Sequence, residues 1–214
     1  MQVEAMRAEE LTGFKAHKEE FKLVFDVGAR GNIEFVEIHP DCEYHLFEPQ
    51  VAYVNHLREV TKDMPNVTVN HCGLGDVPVV GAKFYGNVES FEPHPFIHSE
   101  HNEADVFDIN TVDLYCFDKG IRQIDFLKID TEGYDYRILL GAKSMIKHDA
   151  VKYIQFEYWD GVRKFHDLLS EKYDMWFMSE DKNIYVLDEQ AIQYIDNSRI
   201  PAGMGGDIFC KLKN

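Results

Sequence analysis

The chain is poor in cations: 22 Lys and Arg stand against 38 Asp and Glu, a formal charge of −16. A protein that neutralises several phosphates needs clustered Lys and Arg, and so acidic a field repels a polyanion at long range. Nucleic acid is therefore not an expected partner. A local basic pocket built from Arg30, Lys128 or Arg163 stays open, and the plainest role of the surplus acid is solubility. Cysteine is scarce as well. Cys42, Cys72, Cys116 and Cys210 form no CxxC pair, and no set of His and Cys has zinc spacing. They read as reduced thiols of an intracellular, cytoplasmic protein, with no signal peptide ahead of the first strand. No apolar run approaches the roughly 20 residues that cross a bilayer, so no membrane partner is expected. Repeats, low-complexity tracts and Pro/Gly/Ser linkers are also missing. The 214 residues, 45% hydrophobic and 13% aromatic, read as one domain, monomeric or homodimeric.

What is present is alternation. Short apolar runs recur at Lys22 to Asp26, Tyr44 to Phe47, Val67 to Asn70, Ile124 to Ile129 and Val151 to Glu157. Several are apolar nearly throughout, as strands buried on both faces must be. Helix-length stretches separate them: Val51 to Met64, Tyr134 to Lys147 and Gly161 to Lys172. This order predicts an α/β fold, a mostly parallel central sheet with helices on both faces. Runs at Met175 to Met178, Ile184 to Leu187 and Ile208 to Leu212 lie close together and predict an antiparallel C-terminal edge. Residues 1–20 show a helical pattern around Met6, Leu11 and Phe14, placed over the sheet edge or a ligand mouth. Residues 81–110 hold Pro93, Pro95, His94, His98 and His101 and little periodicity. A long substrate or lid loop is expected there, with at most one short strand near Ala82 to Tyr85.

Ligands of open parallel sheets sit outside the carboxyl ends of the strands. Asp26-Val27-Gly28-Ala29-Arg30-Gly31 and Glu48-Pro49 occupy two such ends. Glu48 follows Asp26 by 22 residues, close to the spacing of about twenty at which an acid receives ribose hydroxyls. The plainer reading is that Glu48 caps a turn at Pro49. A pyrophosphate is met by GxGxxG at a helix amino terminus; here the glycines are Gly28 and Gly31, and Asp26 would repel it. Acids suit a cationic ligand with an amine and a sulfonium, which describes S-adenosylmethionine. Gly75-Asp76, after the third strand, is placed to meet an adenine.

A further segment, Lys128-Ile129-Asp130-Thr131-Glu132-Gly133, closes the fourth apolar strand, and Gly141-Ala142 follows the next helix. With DVGAR at Asp26 to Arg30 and FEP at Phe47 to Pro49, the chain resembles the FkbM family of S-adenosylmethionine-dependent methyltransferases over residues 21 to 160. The departures are Arg30, where that family usually has Asn, Gly31-Asn32, and Thr131, where a small apolar residue is common. Arg30 either contacts the cofactor or faces solvent.

The resemblance implies a Rossmann-like class I methyltransferase that uses S-adenosylmethionine, with Asp26, Gly28, Ala29, Arg30, Gly31, Glu48, Pro49, Gly75, Asp76 and Asp130 around the cofactor. It also implies O-methylation of a sugar or glycan hydroxyl. A small natural-product hydroxyl or amine, or a non-catalytic binding module, are the alternatives. Methyl transfer to an alcohol needs alignment and a base. Asp130 is that candidate, Lys128 would hold it ionised, and Glu157 flanks the pocket. By analogy with catechol-type methyltransferases, Asp130, Glu157 and Glu132 are candidate ligands for a magnesium or manganese ion, although Glu132 equally suits a helix cap. Tyr158 and Trp159 either stack on a sugar or belong to the core.

Overall fold

The computed structural model describes residues 10–84, 105–131, 133–158, 161–178, 184–197 and 206–214. The chain opens with α1 (Glu10–His17) and a short 3-10 turn (Lys18–Glu20), then β1 (Leu23–Val27), α2 (Glu34–Ile38), β2 (Glu43–Phe47), α3 (Val51–Val60) and β3 (Val67–Asn70). A small group follows: β4 (Cys72–Leu74), β5 (Val79–Phe84) and β6 (Asp105–Asn110). Next come α4 (Val112–Lys119), β7 (Ile124–Ile129), α5 (Asp135–Leu140), α6 (Lys143–Lys147), β8 (Val151–Tyr158) and α7 (Arg163–Leu169). The chain closes with β9 (Tyr173–Met178), β10 (Ile184–Val186), α8 (Glu189–Asn197) and β11 (Gly206–Leu212).

Eight strands form one sheet in the order β10-β9-β11-β8-β7-β1-β2-β3. The five strands from β8 to β3 are parallel, and β11 runs antiparallel between β8 and β9. The expected fold and its antiparallel edge are therefore present. β7 is buried at every position, which requires cover on both faces. One face, through Phe25, Leu127, Ile154, Phe156 and Ile208, packs under α4 to α8. The other, through Val24, Phe126, Tyr153 and Phe209, packs under α1 to α3.

Two expectations need correction. The N-terminal helix lies over the middle of a sheet face, not its edge, because Phe14 fills the space above Phe126 and beside Phe35. The one short strand expected near Ala82 to Tyr85 corresponds to β5, but residues 105–110 of the expected loop form a second strand, β6, which pairs antiparallel with β5 in a separate sheet, β4-β6-β5. The alternation in Asp105-Val106-Phe107-Asp108-Ile109, with Phe107 and Ile109 buried, is a half-buried strand pattern. His94, His98, His101, Pro93 and Pro95 lie outside the described residues. The helix-length stretch Tyr134 to Lys147 holds α5, which ends at the Gly141-Ala142 expected after the helix, and then the shorter α6.

The four cysteines are free thiols. Burial pushes Cys42 and Cys72 up to about 11 and Cys116 up to about 12, so these three are packing groups rather than nucleophiles. Among the described residues no helix is long and apolar enough to cross a membrane.

Phe14 is fully buried, with ring centroids 4.5 Å from Phe35 and 5.2 Å from Phe126. Phe14→Ala is expected to destabilise the fold by about 3–5 kcal/mol, read by urea unfolding. A loss below about 1 kcal/mol would show that α1 is not part of the core.

Candidate active site

The site begins where β1 ends. The amides of Gly28 and Ala29 both donate to the Phe47 carbonyl, at 3.0 and 3.3 Å, and the Asp130 amide donates to the Val27 carbonyl at 2.9 Å. Gly28 has φ 84°, and a Cβ there would collide with the Asp130 carbonyl. Only glycine lets β1 turn away while touching the end of β7. Arg30 follows at φ 45°, a left-handed conformation that Asn tolerates better than Arg. The Arg30 side chain is exposed, while its amide donates to Glu48 Oε2 at 2.9 Å.

Glu48 is 3% exposed at the end of β2. Its other oxygen, Oε1, accepts the Gln50 amide at 2.8 Å. Burial pushes its carboxyl up to about 7; the Gln50 and Arg30 amides pull against that, and Asp26 adds to it. Each oxygen has one amide partner, and a carboxylate offers about four acceptor sites. Capacity for two more donors remains, the number that a vicinal diol brings. The turn-capping and ligand-binding readings are thus compatible in one side chain.

A polar row crosses the three central strands below this mouth. Asp26 on β1 is in register with Lys128 on β7, and Lys128 with Gln155 on β8. Registered neighbours share a sheet face. Lys128 is 2% exposed, and its Nζ lies 3.2 Å from Asp130 Oδ2. Asp130, 30% exposed, is the member of this ion pair that reaches the mouth. Glu157, one alternation beyond Gln155, is in register with Asp207 of β11.

Sequence reasoning passed over Asp135. It is 1% exposed at the start of α5, accepting the Thr131 hydroxyl at 2.9 Å and the Glu157 amide at 3.2 Å. Burial pushes its carboxyl up to about 7, and the nearby Asp130 and Glu157 charges add to this, against the Thr131 hydrogen bond. The signal available was its place five residues after Asp130, on the first turn of a helix.

On the far side, the Gly75 amide donates to the Asn110 carbonyl at 2.8 Å, and Asp76 Oδ2 pairs with Arg137 Nη1 at 3.0 Å. The Pro49 carbonyl lies 3.0 Å from His71 Nε2. Tyr158 belongs to the core; Trp159 and Glu132 lie outside the described residues. Among the described residues no group of three or more His, Cys, Asp or Glu is arranged to hold a metal ion. Of the expected metal ligands, Asp130 and Glu157 belong to no such group, and the charge beside Asp130 is the ammonium of Lys128.

The donor set fits S-adenosylmethionine. Glu48 has acceptor capacity for a ribose, Asp76 retains Oδ1 beside Gly75, and acids predominate where a sulfonium and an amine would need them. Fold and site together define an S-adenosylmethionine-dependent methyltransferase. A family model described as "Methyltransferase FkbM domain" matches residues 26–177, so the chain belongs to the FkbM methyltransferase family. A comparison with curated protein sequences finds no match. Solved structures are similar in fold. An rRNA methylase from Streptococcus thermophilus aligns at TM-score 0.50 and 9% identity, covering 99% of both chains. An uncharacterized protein from Listeria monocytogenes serotype 4b aligns at TM-score 0.51 and 8% identity, covering 98% of this chain and 69% of that one. Precorrin-6y C5,15-methyltransferase from Geobacter metallireducens aligns at 0.48 and 13% identity, covering 100% and 93%. At these identities the likeness concerns the fold alone.

A ligand whose hydroxyls donate to Glu48 would bind in a pH-dependent way, because burial raises that carboxyl. Its folded value of about 7 lies above the ordinary 4.5, so its contribution to stability is full below about pH 4.5 and lost as pH rises through about 7. Hydroxyl donors favour the ionised form and oppose that loss. Affinity for S-adenosylhomocysteine, read by calorimetry, is expected to level off near pH 8 and to be weaker by about tenfold at pH 6. Glu48→Gln should flatten this profile and weaken binding at pH 8. A wild-type affinity constant from pH 6 to 8 would remove Glu48 from ligand contact.

Proposed function

We propose that this chain O-methylates a hydroxyl of a sugar or glycan. The observation that carries the reading is the ion pair at the end of β7: a half-buried Asp130 anchored through Oδ2 by the buried Lys128, beside the Gly28 turn. S-adenosylmethionine supplies, when bound, an electrophilic methyl group on a sulfonium. The residues of the chain do the rest. Glu48 receives the ribose hydroxyls, and Asp76 with Gly75 receives the adenine. Asp26, Ala29, Arg30, Gly31 and Pro49 shape the cradle between them. Asp130 Oδ1 accepts the proton of the acceptor hydroxyl, a step that an alcohol requires because its own pKa is far above neutrality. Glu157 offers a second carboxylate to a polyhydroxylated acceptor.

Charge supports a neutral acceptor over a polyanionic one. The titled rRNA substrate of one structural neighbour belongs to that protein, and a formal charge of −16 opposes the long-range attraction that RNA recognition uses. No step of this reading passes through a divalent cation. Free thiols agree with an intracellular, cytoplasmic location.

The test is a panel of monosaccharides, glycans, small phenols, amines and RNA with methyl-labelled S-adenosylmethionine. Transfer to a sugar hydroxyl is expected. Asp130→Asn should lower that transfer by about 10²–10⁴-fold, and S-adenosylhomocysteine affinity should change by less than about threefold. Transfer to RNA alone would overturn the acceptor assignment. An Asp130→Asn protein retaining more than about a tenth of the rate would remove Asp130 as the base.

A further inference from the structure

The short helix α5 touches both halves of the site. Toward the cofactor side, Arg137 Nη1 lies 3.0 Å from Asp76 Oδ2. Gly141, just past the helix, packs so closely on Gly75 that a Cβ would collide with its carbonyl, and the Tyr134 ring, just before the helix, also lies against Gly75. Toward the acceptor side, Asp135 Oδ1 accepts the Glu157 amide at 3.2 Å and Oδ2 accepts the Thr131 hydroxyl at 2.9 Å. Thr131 follows Asp130, and Glu157 lies near the end of the adjacent strand β8. A single carboxylate therefore ties together the two strand ends that carry Asp130 and Glu157. At 1% exposure Asp135 is itself enclosed and does not touch an acceptor.

We propose that Asp135 is a positioning residue for methyl transfer: it fixes Asp130 relative to Glu157, while Arg137 on the same helix braces Asp76 on the cofactor side. This rests on the methyltransferase reading above. The reason a tie is needed is local. Beyond Ile129 the pairing of β7 with β8 ends; Asp130 is held to Val27 of β1 and Glu157 is in register with Asp207 of β11, so no β7–β8 ladder bond joins the two acids directly. Misplacement of a reacting group by about 1 Å costs on the order of 10²-fold in rate. A carboxylate with one oxygen on each side is a short, directional brace.

Three variants separate this role from a general one. Asp135→Ala is expected to leave S-adenosylhomocysteine affinity within about threefold of wild type while kcat, for the acceptor the panel returns, falls about a hundredfold with little change in KM. By NMR, its Glu157 amide should exchange about tenfold faster. Asp135→Asn keeps an acceptor oxygen for that amide and meets the Thr131 oxygen with its NH2. It should restore slow exchange and recover kcat to within about fivefold. Arg137→Ala should show the opposite pattern, weaker S-adenosylhomocysteine binding with Glu157 exchange unchanged. Should Asp135→Ala not fold, Thr131→Val removes one of the two ties and is expected to lower kcat about tenfold at constant KM. Equal losses of binding and kcat in Asp135→Ala, failure of Asp135→Asn to rescue, or an unchanged Glu157 exchange rate would each overturn the proposal. A wild type that does not bind S-adenosylhomocysteine would instead overturn the methyltransferase reading; the exchange comparison, made without ligand, decides positioning independently.

Discussion

Beyond their last paired residues the backbones of β1 and β7 stay in contact, with the Asp130 amide on the Val27 carbonyl and the Asp130 carbonyl pressed against Gly28. Parallel strands normally diverge where their ladder ends, and the chain then leaves for a helix. Here the absence of a Cβ lets the turn after β1 fold across the end of β7 without separating from it. The same turn sends the Gly28 and Ala29 amides to Phe47, which holds the end of β2 on the other side. Three strand ends are thereby fixed to one another. Asp26, Glu48 and Asp130 converge because their backbones do, before any side-chain preference is considered.

That convergence concentrates like charge in a poorly solvated place. Two of the acids, Glu48 and Asp135, have carboxyls lifted to about 7 by burial, so the site does not carry its full formal charge near neutrality. Each is steadied by two directional donors rather than by a cation: Arg30 and Gln50 amides for Glu48, the Glu157 amide and Thr131 hydroxyl for Asp135. Asp130 is treated differently. Its partner is the ammonium of Lys128, enclosed within the sheet face, while the carboxylate remains partly exposed. The amide-held acids are fixed in place by backbone, and Asp130, steadied by an ammonium behind it, is the acid of the β7 end that stays open to a ligand.

The sheet and its cofactor end were legible because their signals are local. Apolar runs of strand length predicted the parallel strands, and glycine and acid at their ends predicted the cradle. The short strand expected near Ala82 to Tyr85 is β5, but the strand at 105–110 was hidden because its pairing with β5 spans the length of chain between them, and the prolines and histidines in that interval suggest a loop. The placement of α1 was misread for a similar reason: Phe14 marks an apolar face, but which strand receives it depends on Phe126, more than a hundred residues away. Lys128 and Asp130 were readable as a pair from their two-residue spacing, since alternate residues share a face. Asp135 was not, because its partners lie on a turn and on a strand end that only the tertiary fold brings to it.

The departures from the family pattern carry the last step. At position 30 the relatives' Asn suits a left-handed backbone, and Arg is the harder residue to place there; what the site uses is the amide, which any residue supplies. Position 131 is the reverse case. A small apolar residue would fill the same space, but the Thr131 hydroxyl gives the buried Asp135 a second donor. Without it, a carboxylate enclosed beside Asp130 would keep the Glu157 amide with one oxygen and lose the tie to the β7 turn. A buried acid with one partner removed is costly in proportion to its enclosure. Thr131 and Asp135 are therefore best understood as one unit, in which the hydroxyl makes a buried carboxyl brace tolerable at the acceptor side of the site.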